Sequence, residues 1–319
     1  MSEIRLSVVV PVFNGEKYIQ DTLDSLEVLD SLLCCEFIFQ NNQSSDGTTD
    51  ILDAFCRDSK NRFHYNEQDL GQSDAINRGM ERARGRWVTW LCADDIILPE
   101  LVSALVEADR SGADVVYGDV IFFQNGVFEP AIGTETYSYG VLSKRRLMIQ
   151  QPGTCIRRKV WLDAGGVRLQ WNWAMDYDLF LRLETVQKKF LRIKEFLAVI
   201  RVHPEAKTSS GSIHRLAELW SILWQSHMRK PAFFRLRPYF VYGVEYIIKS
   251  FEQAGTADLS LSRRVILLGL HRFFWLAAMA VEQREIVQRF QNIPKEVNCL
   301  ITKMADRCAE YQRMNERNE

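Results

Sequence analysis

Residues 6–12, Leu-Ser-Val-Val-Val-Pro-Val, form a nearly unbroken apolar run of strand length, and comparable short runs return at Glu36–Gln40, Arg62–Tyr65, Trp87–Leu91 and Asp114–Tyr117. The intervals between them carry apolar residues at helical spacing. Tyr18, Ile19, Leu23 and Leu26 fall on one face of a helix predicted from an N-cap at Asn14 to about Leu29. Ser45 or Asp46 caps a second helix through about Cys56, Gly71–Ala83 reads as a third, and Pro99 opens a fourth at its first turn. Short strands alternating with longer helices imply parallel βαβ units, hence an α/β fold built on a mostly parallel, doubly wound sheet. After residue 118 the pattern changes to short strands, turns and one clear helix near Tyr177–Gln187. From Ser212 onward it reads as helical, rich in aromatics and without strand alternation. The chain is therefore expected to divide near residue 210, into an α/β domain over residues 1–210 and an all-helical appendage over 211–319.

Composition narrows the classes without choosing among them. The 319 residues are 47% hydrophobic and 25% charged, values of an ordinary globular protein that argue against intrinsic disorder. A net charge of −1 gives no global case for nucleic-acid binding. The seven cysteines (34, 35, 56, 92, 155, 299 and 308) contain no Cys-x-x-Cys, which reads as reduced thiols in a cytoplasmic setting rather than a disulfide framework or zinc site. The start of the chain runs straight into the first strand and is too short and Pro-interrupted for a signal peptide.

The densest chemistry is Leu91-Cys92-Ala93-Asp94-Asp95, two adjacent carboxylates directly after a buried-strand pattern. Carboxylates at a strand's C-terminal end lie where open α/β sheets bind ligands. Hard oxygen ligands at that place suit Mn²⁺ or Mg²⁺ held against a diphosphate.

Five further segments surround this pair in chain order. They are Val10-Pro11-Val12-Phe13-Asn14-Gly15, Asn42-Gln43-Ser44-Ser45-Asp46-Gly47-Thr48, Gly71-Gln72-Ser73-Asp74-Ala75-Ile76-Asn77-Arg78-Gly79, Tyr117-Gly118-Asp119 and Met175-Asp176-Tyr177-Asp178-Leu179. Together with Asp94-Asp95, their order resembles the family 2 glycosyltransferases of GT-A fold, over roughly residues 5–208. The Gly-Gln-Ser-Asp-Ala-Ile-Asn form is similar to enzymes that build bacterial surface polysaccharide.

The resemblance implies roles for particular residues. Pro11 and Phe13 wall a nucleotide base, and Asn14 either bonds to it or caps a helix. Asn41 stands where the family usually has Asp against a pyrimidine N–H, which leaves UDP, dTDP and purine diphosphosugars open. Gln72 and Asp74 contact the donor; Asp46 is a ligand contact or a helix cap. Asp94 meets the donor's ribose or sugar, and Asp95 holds the metal with His203. Cys92 replaces a usual Asp or Asn and reads as a buried thiol rather than a ligand. Asp176 is the general base, although Met175 replaces the Glu that commonly precedes it, and Asp178 is structural. Trp171, Trp173 and Gln151 face the acceptor, and Lys207 steadies the departing diphosphate.

Beyond residue 210 the reading is of shape rather than chemistry. Val265–Val281 is mostly apolar but holds His271 and Arg272. As a helix it would span about 26 Å, short of a bilayer's roughly 30 Å core, and Arg near its middle costs about 2.5–3.5 kcal/mol. Two readings stay open. One is a helix buried in the appendage. The other is peripheral docking of residues 211–281 on a membrane's inner face, favoured by nine Lys or Arg against four Asp or Glu over residues 211–275 and by Trp220, Trp224, Tyr239, Tyr242, Phe273, Phe274 and Trp275. Residues 293–319 read as an amphipathic helix and an oligomer contact.

The expectation is a metal-dependent, inverting hexosyltransferase, UDP favoured, acting on a saccharide or lipid-linked oligosaccharide of O-antigen, capsule or exopolysaccharide. Two rivals stand beside it. A sugar nucleotidyltransferase would show a Gly-rich, basic loop after the first strand, which Pro11–Asn14 is not. A non-catalytic nucleotide-sugar-binding scaffold fits Asn41, Cys92 and Met175 but not the retained acidic set.

Overall fold

Six of the seven side chains of β1 (Leu6–Val12) are buried, so this strand needs cover on both faces of the sheet. Leu6, Val8, Val10 and Val12 pack with Ile19, Leu23, Leu26 and Leu29 of α1 (Ile19–Leu32), while Val9 points the other way, onto Ile76 and Met80 of α3 (Gln72–Arg82). The period-two alternation of the strand thus divides its side chains between two cores. The computed structural model describes residues 3–130, 142, 149–207, 212–227 and 299–307.

β2 (Cys35–Asn41) and β3 (Arg62–Asn66), separated by α2 (Thr48–Cys56), pair parallel to one side of β1. After α3 the chain crosses to the other side, where β4 (Trp87–Trp90) pairs parallel with β1. This reversal opens a crevice beyond the C-terminal ends of β1 and β4, where an open α/β sheet receives ligands. Next come β5 (Ile96–Ile97), α4 (Leu101–Ser111), β6 (Val115–Gln124) and β7 (Val127–Pro130). A 3₁₀ turn (Gln151–Gly153), β8 (Thr154–Arg157), α5 (Arg158–Ala164), α6 (Met175–Thr185) and β9 (Phe190–Val202) follow. The sheet order is β3-β2-β1-β4-β8-β6-β9-β5, with β7 on β6. β8 enters antiparallel between β4 and β6, while β9 runs parallel to β6.

Two later helices close on this frame. In α7 (Ser212–His227), Leu216, Leu219, Ile222 and Leu223 join the cluster that holds Leu179, Phe180 and Leu183 of α6. A helix over residues 299–307, α8, buries Leu300, Ile301 and Met304 against Ile96, Leu98, Ile121, Phe123, Phe196 and Val199. Residues 212–227 and 299–307 therefore share cores with the sheet across the boundary expected near residue 210. Val265–Val281, Tyr239, Tyr242, Phe273, Phe274 and Trp275 lie outside the described residues. Among the described residues no helix is long and apolar enough to cross a membrane.

Several local expectations are corrected. Asn14 does not cap α1, which starts at Ile19; its backbone is left-handed (φ 49°) and its Oδ1 accepts the Ser45 N–H at 2.9 Å, tying two loops together. Pro99 precedes the first turn of α4 instead of occupying it. β9 is 13 residues long, where only short strands were expected after residue 118.

The fit of α3 onto β1 depends on Gly79, where a Cβ would meet Val9 Cγ1 at 2.4 Å. Val9 is β-branched and fully buried, so it has little room to yield. Overpacking of this kind costs about 1–3 kcal/mol, partly offset by about 1 kcal/mol of helix propensity. Gly79→Ala is expected to lower Tm by about 2–8 °C, measurable by calorimetry; an unchanged or higher Tm would show that the helix simply rides outward.

Candidate active site

The crevice is an open cleft of about 630 Å³ into which six segments turn. β1 ends in Pro11, Phe13 and Asn14; the loop before α3 brings Asp69, Gly71 and Gln72; β4 leads into Cys92, Asp94 and Asp95. From the second half of the sheet come Gln151, then Trp173 and Asp176 at the start of α6, then His203 and Lys207 after β9. The acid pair and Asp176, 81 positions apart in the chain at their nearest, line one cavity.

Asp94 and Asp95 are adjacent but differently placed. Asp94 Oδ2 lies 2.9 Å from His203 Nε2, and its side chain is 26% exposed toward the cleft. Asp95 is 4% exposed, and its Oδ1 accepts the Arg201 N–H at 2.9 Å. Burial, with the charge of Asp94 added, pushes the Asp95 carboxyl well above its ordinary range, against the pull of Arg201. Cys92 Sγ, an Asp94 oxygen and an Asp95 oxygen all lie within 4.8 Å of one another. Asp94 and Asp95 bring hard carboxylate oxygens into this cluster, so the residues present can hold a divalent cation. Asp95 keeps a second oxygen beside the one that accepts the β9 backbone N–H, so the expected ligand Asp95 stands next to the more exposed Asp94.

Arg201 braces this corner from behind. Its guanidinium meets Asp21 Oδ2 at 2.5 Å and the Asp94 carbonyl at 3.2 Å, and stacks 4.7 Å from the Tyr18 ring centroid. Asp21 is also bound by Arg307 of α8 at 2.8 Å. Burial raises the Asp21 carboxyl, with both arginines opposing it.

At the opposite end of the acid pair, Gln72 donates Nε2 to Cys92 Sγ at 3.3 Å and accepts from Lys207 Nζ at 2.7 Å. Lys207 is drawn below its usual value by burial, against the charges of Cys92, Glu218 and Asp176. Asp176 is the second residue of α6, inside the first turn rather than at its N-cap, which is Ala174. Burial raises its carboxyl, while N–H groups of Tyr177 and Asp176 itself, then Arg215 and Lys207, pull it back.

Three expected contacts are not brought to the cleft. Asn41 is fully buried: its Nδ2 reaches Thr49 Oγ1 (3.1 Å) and His64 Nε2 (3.2 Å), and its Oδ1 accepts Ser44 N–H and Oγ–H. An amide both donates and accepts here, which a carboxylate could not do, so Asn at this position braces the loop after β2. Asp74 accepts the Leu70 N–H and pairs with Arg78 at 2.7 Å, stabilising its own helix start. Trp171 is a core residue, 7% exposed, whose carbonyl accepts Ser73 Oγ–H. Asp46 serves as a brace, accepting Thr48 and Glu16 N–H groups, and Asp178 is held by Arg168 and Arg182.

Trp173 does line the cleft, stacked on His214 of α7 at 5.2 Å, and Gln151 lies beside it with Nε2 on the Trp90 carbonyl. The sequence reading missed Asn42 and Asp69. Asn42 Oδ1 accepts the Asp69 N–H at 2.9 Å, and Asp69 Oδ1 accepts that of Gly71 at 2.7 Å. Burial raises the Asp69 carboxyl despite the Gly71 N–H. Its position two residues before the Gly-Gln-Ser-Asp segment was the available signal.

A nucleotide-sized crevice at a sheet's switch point, with paired acids at its floor, defines a GT-A type α/β domain. Residues 7–163 match the family described as Glycosyl transferase family 2. A putative teichuronic acid biosynthesis glycosyltransferase, TuaG of Bacillus subtilis, is 40% identical over 92 residues, 28% of this chain and 36% of that protein. The fold matches TarS 1–349 of S. aureus in complex with UDP-GlcNAc at a TM-score of 0.59, 17% identity, over 82% of this chain and 78% of that one. It also matches the mannosyltransferase PcManGT of Pyrobaculum calidifontis in complex with GDP-Man and Mn²⁺ at 0.57, 16% identity, over 85% and 81%. The chain spans about a third to a half of the length of the curated relatives it matches.

Proposed function

We propose that this chain is a metal-dependent inverting glycosyltransferase. It moves a hexose-type sugar from a nucleotide diphosphate donor, UDP favoured, to a saccharide or lipid-linked oligosaccharide acceptor in surface-polysaccharide synthesis. One observation carries the reading: Asp176 and the Asp94–His203 pair, from separate parts of the chain, open on the same cleft. Phe13, 63% exposed beside Pro11, offers an apolar face for the base, with Asn42 and Asp69 close by for its polar edge. Asp95 and His203, with Asp94 beside them, would hold Mn²⁺ or Mg²⁺, which would supply positive charge against a diphosphate. Lys207 adds a half-buried cation to the same wall.

Trp173 and Gln151 border the acceptor side next to Asp176. As the acceptor oxygen bonds to the anomeric carbon, the bond from that carbon to the diphosphate breaks and the acceptor proton passes to Asp176. Attack opposite the leaving group inverts the centre. The names of TuaG and TarS support a surface polymer and a UDP-sugar; the GDP-Man neighbour is the reason to test the base.

The test is calorimetric titration of UDP, dTDP, GDP and CDP with Mn²⁺ and with chelator. One nucleotide is expected to bind, and His203→Ala or chelation to weaken it by at least about tenfold. Binding indifferent to both treatments would remove the metal from the reading.

A further inference from the structure

Glu218 lies on α7, outside the stretch that matches the family, yet its carboxylate reaches the wall of the cleft. One oxygen accepts the Asn172 N–H at 2.8 Å; the other accepts those of Trp173 at 2.8 Å and Ala174 at 2.9 Å. Three consecutive backbone N–H groups converging on one anion form a nest. Ala174 is the N-cap of α6, and it has no side chain with which to cap the helix itself. A carboxylate there also opposes the positive end of the helix dipole. Asp176 follows two residues later, and Trp173 lies within the nest.

Other residues of α7 converge on the same place. His214 stacks on the Trp173 ring, and Leu216 and Leu219 enter the core that holds α6. Arg215 contributes positive charge near Asp176, and Glu218 contributes negative charge near Lys207. Without Glu218, three N–H groups at the cleft's edge would lose a charged acceptor and re-orient toward water.

We propose that Glu218 is the positioning residue for the general base: it fixes the backbone of residues 172–174, and with it the Asp176 carboxylate and the Trp173 ring. The proposal rests on the glycosyl-transfer reading for its effect on rate, but not for its effect on the backbone. A helix beyond the family domain thereby completes the acceptor side of the site.

The experiment uses full-length protein carrying Glu218→Ala or Glu218→Gln. Glu218→Ala is expected to lower kcat for transfer by about 10²-fold, the scale of a misplaced catalytic group, with nucleotide affinity unchanged. Glu218→Gln, which keeps one acceptor oxygen, falls between it and the native protein. In an Asp176→Asn background Glu218→Ala should add little further loss, because the two act on one step. A merely structural Glu218 would lower Tm and leave kcat intact well below it, with Tm falling equally in the native and Asp176→Asn backgrounds. Amide hydrogen exchange over residues 172–174 gives a readout independent of turnover: protection must fall in Glu218→Ala. Retained protection, unchanged kcat, or nucleotide binding lost in step with kcat would each overturn the proposal. Absence of transfer by the native protein on every donor would instead sink the functional reading.

Discussion

Asp176→Asn is expected to reduce kcat for sugar transfer by about 10²–10⁴, the usual contribution of a positioned general base, while nucleotide and Mn²⁺ bind as before. The amide keeps the size of the side chain and can still accept the Tyr177 N–H that Asp176 Oδ1 takes at 2.7 Å, so the start of α6 should stay folded. What it loses is the capacity to take up a proton. Only the ionised carboxylate is active, and burial holds its pKa above the ordinary carboxylate value. Activity should therefore rise with pH through that elevated value, placing the acid limb of kcat at a higher pH than a solvent-exposed Asp would give. Steady-state rates against pH check both points. An acid limb unchanged by Asp176→Asn, or a loss of only a few-fold, would assign the base elsewhere.

The second large effect is on stability. Arg201→Met is expected to destabilise the fold by about 3–5 kcal/mol, the range for stripping one partner from a buried ion pair. Arg201 and Asp21 are 3% and 7% exposed, and Arg307 alone would face the carboxylate afterwards. Asp21 already has a raised pKa, and losing Arg201 raises it further. A carboxyl raised by folding stabilises the native state fully only when protonated, so the variant's deficit should shrink as pH falls toward the ordinary carboxylate range and widen above it. Adding Asp21→Asn should recover part of the loss at neutral pH. Chemical unfolding of the native protein and the two variants at several pH values measures this; a pH-independent deficit would mean that packing against Tyr18 and Phe123, not charge, is what Arg201 supplies.

The parallel half of the sheet was legible because its strands are buried on both faces and so appear as apolar runs. β1, β2, β4 and α3 fall within a residue or two of their expected limits. β5 has two residues, and β8 is a four-residue strand inserted antiparallel between distant neighbours; neither is long enough to set a period. The acid pair and Asp176 could be read because a strand end and a helix start announce themselves locally. The unequal exposure of the two aspartates could not, since adjacent carboxylates look alike until β9 supplies the Arg201 N–H. Asn41 misled for a related reason: its position follows the family pattern, but its amide satisfies groups from α2 and β3. Glu218 carried no signal, because its partners are backbone N–H groups 44–46 positions away.

Arg307 meets Asp21 across 286 positions of chain. During synthesis the first helix therefore emerges long before its second cation exists, and the ribosome must deliver α8 before that corner can close. Contacts of such separation form late and slowly, so the corner around Asp21 stays open while the intervening chain is made. Tags or fusions that hinder docking of α8 should accordingly lower soluble yield more than ones appended to the first strand.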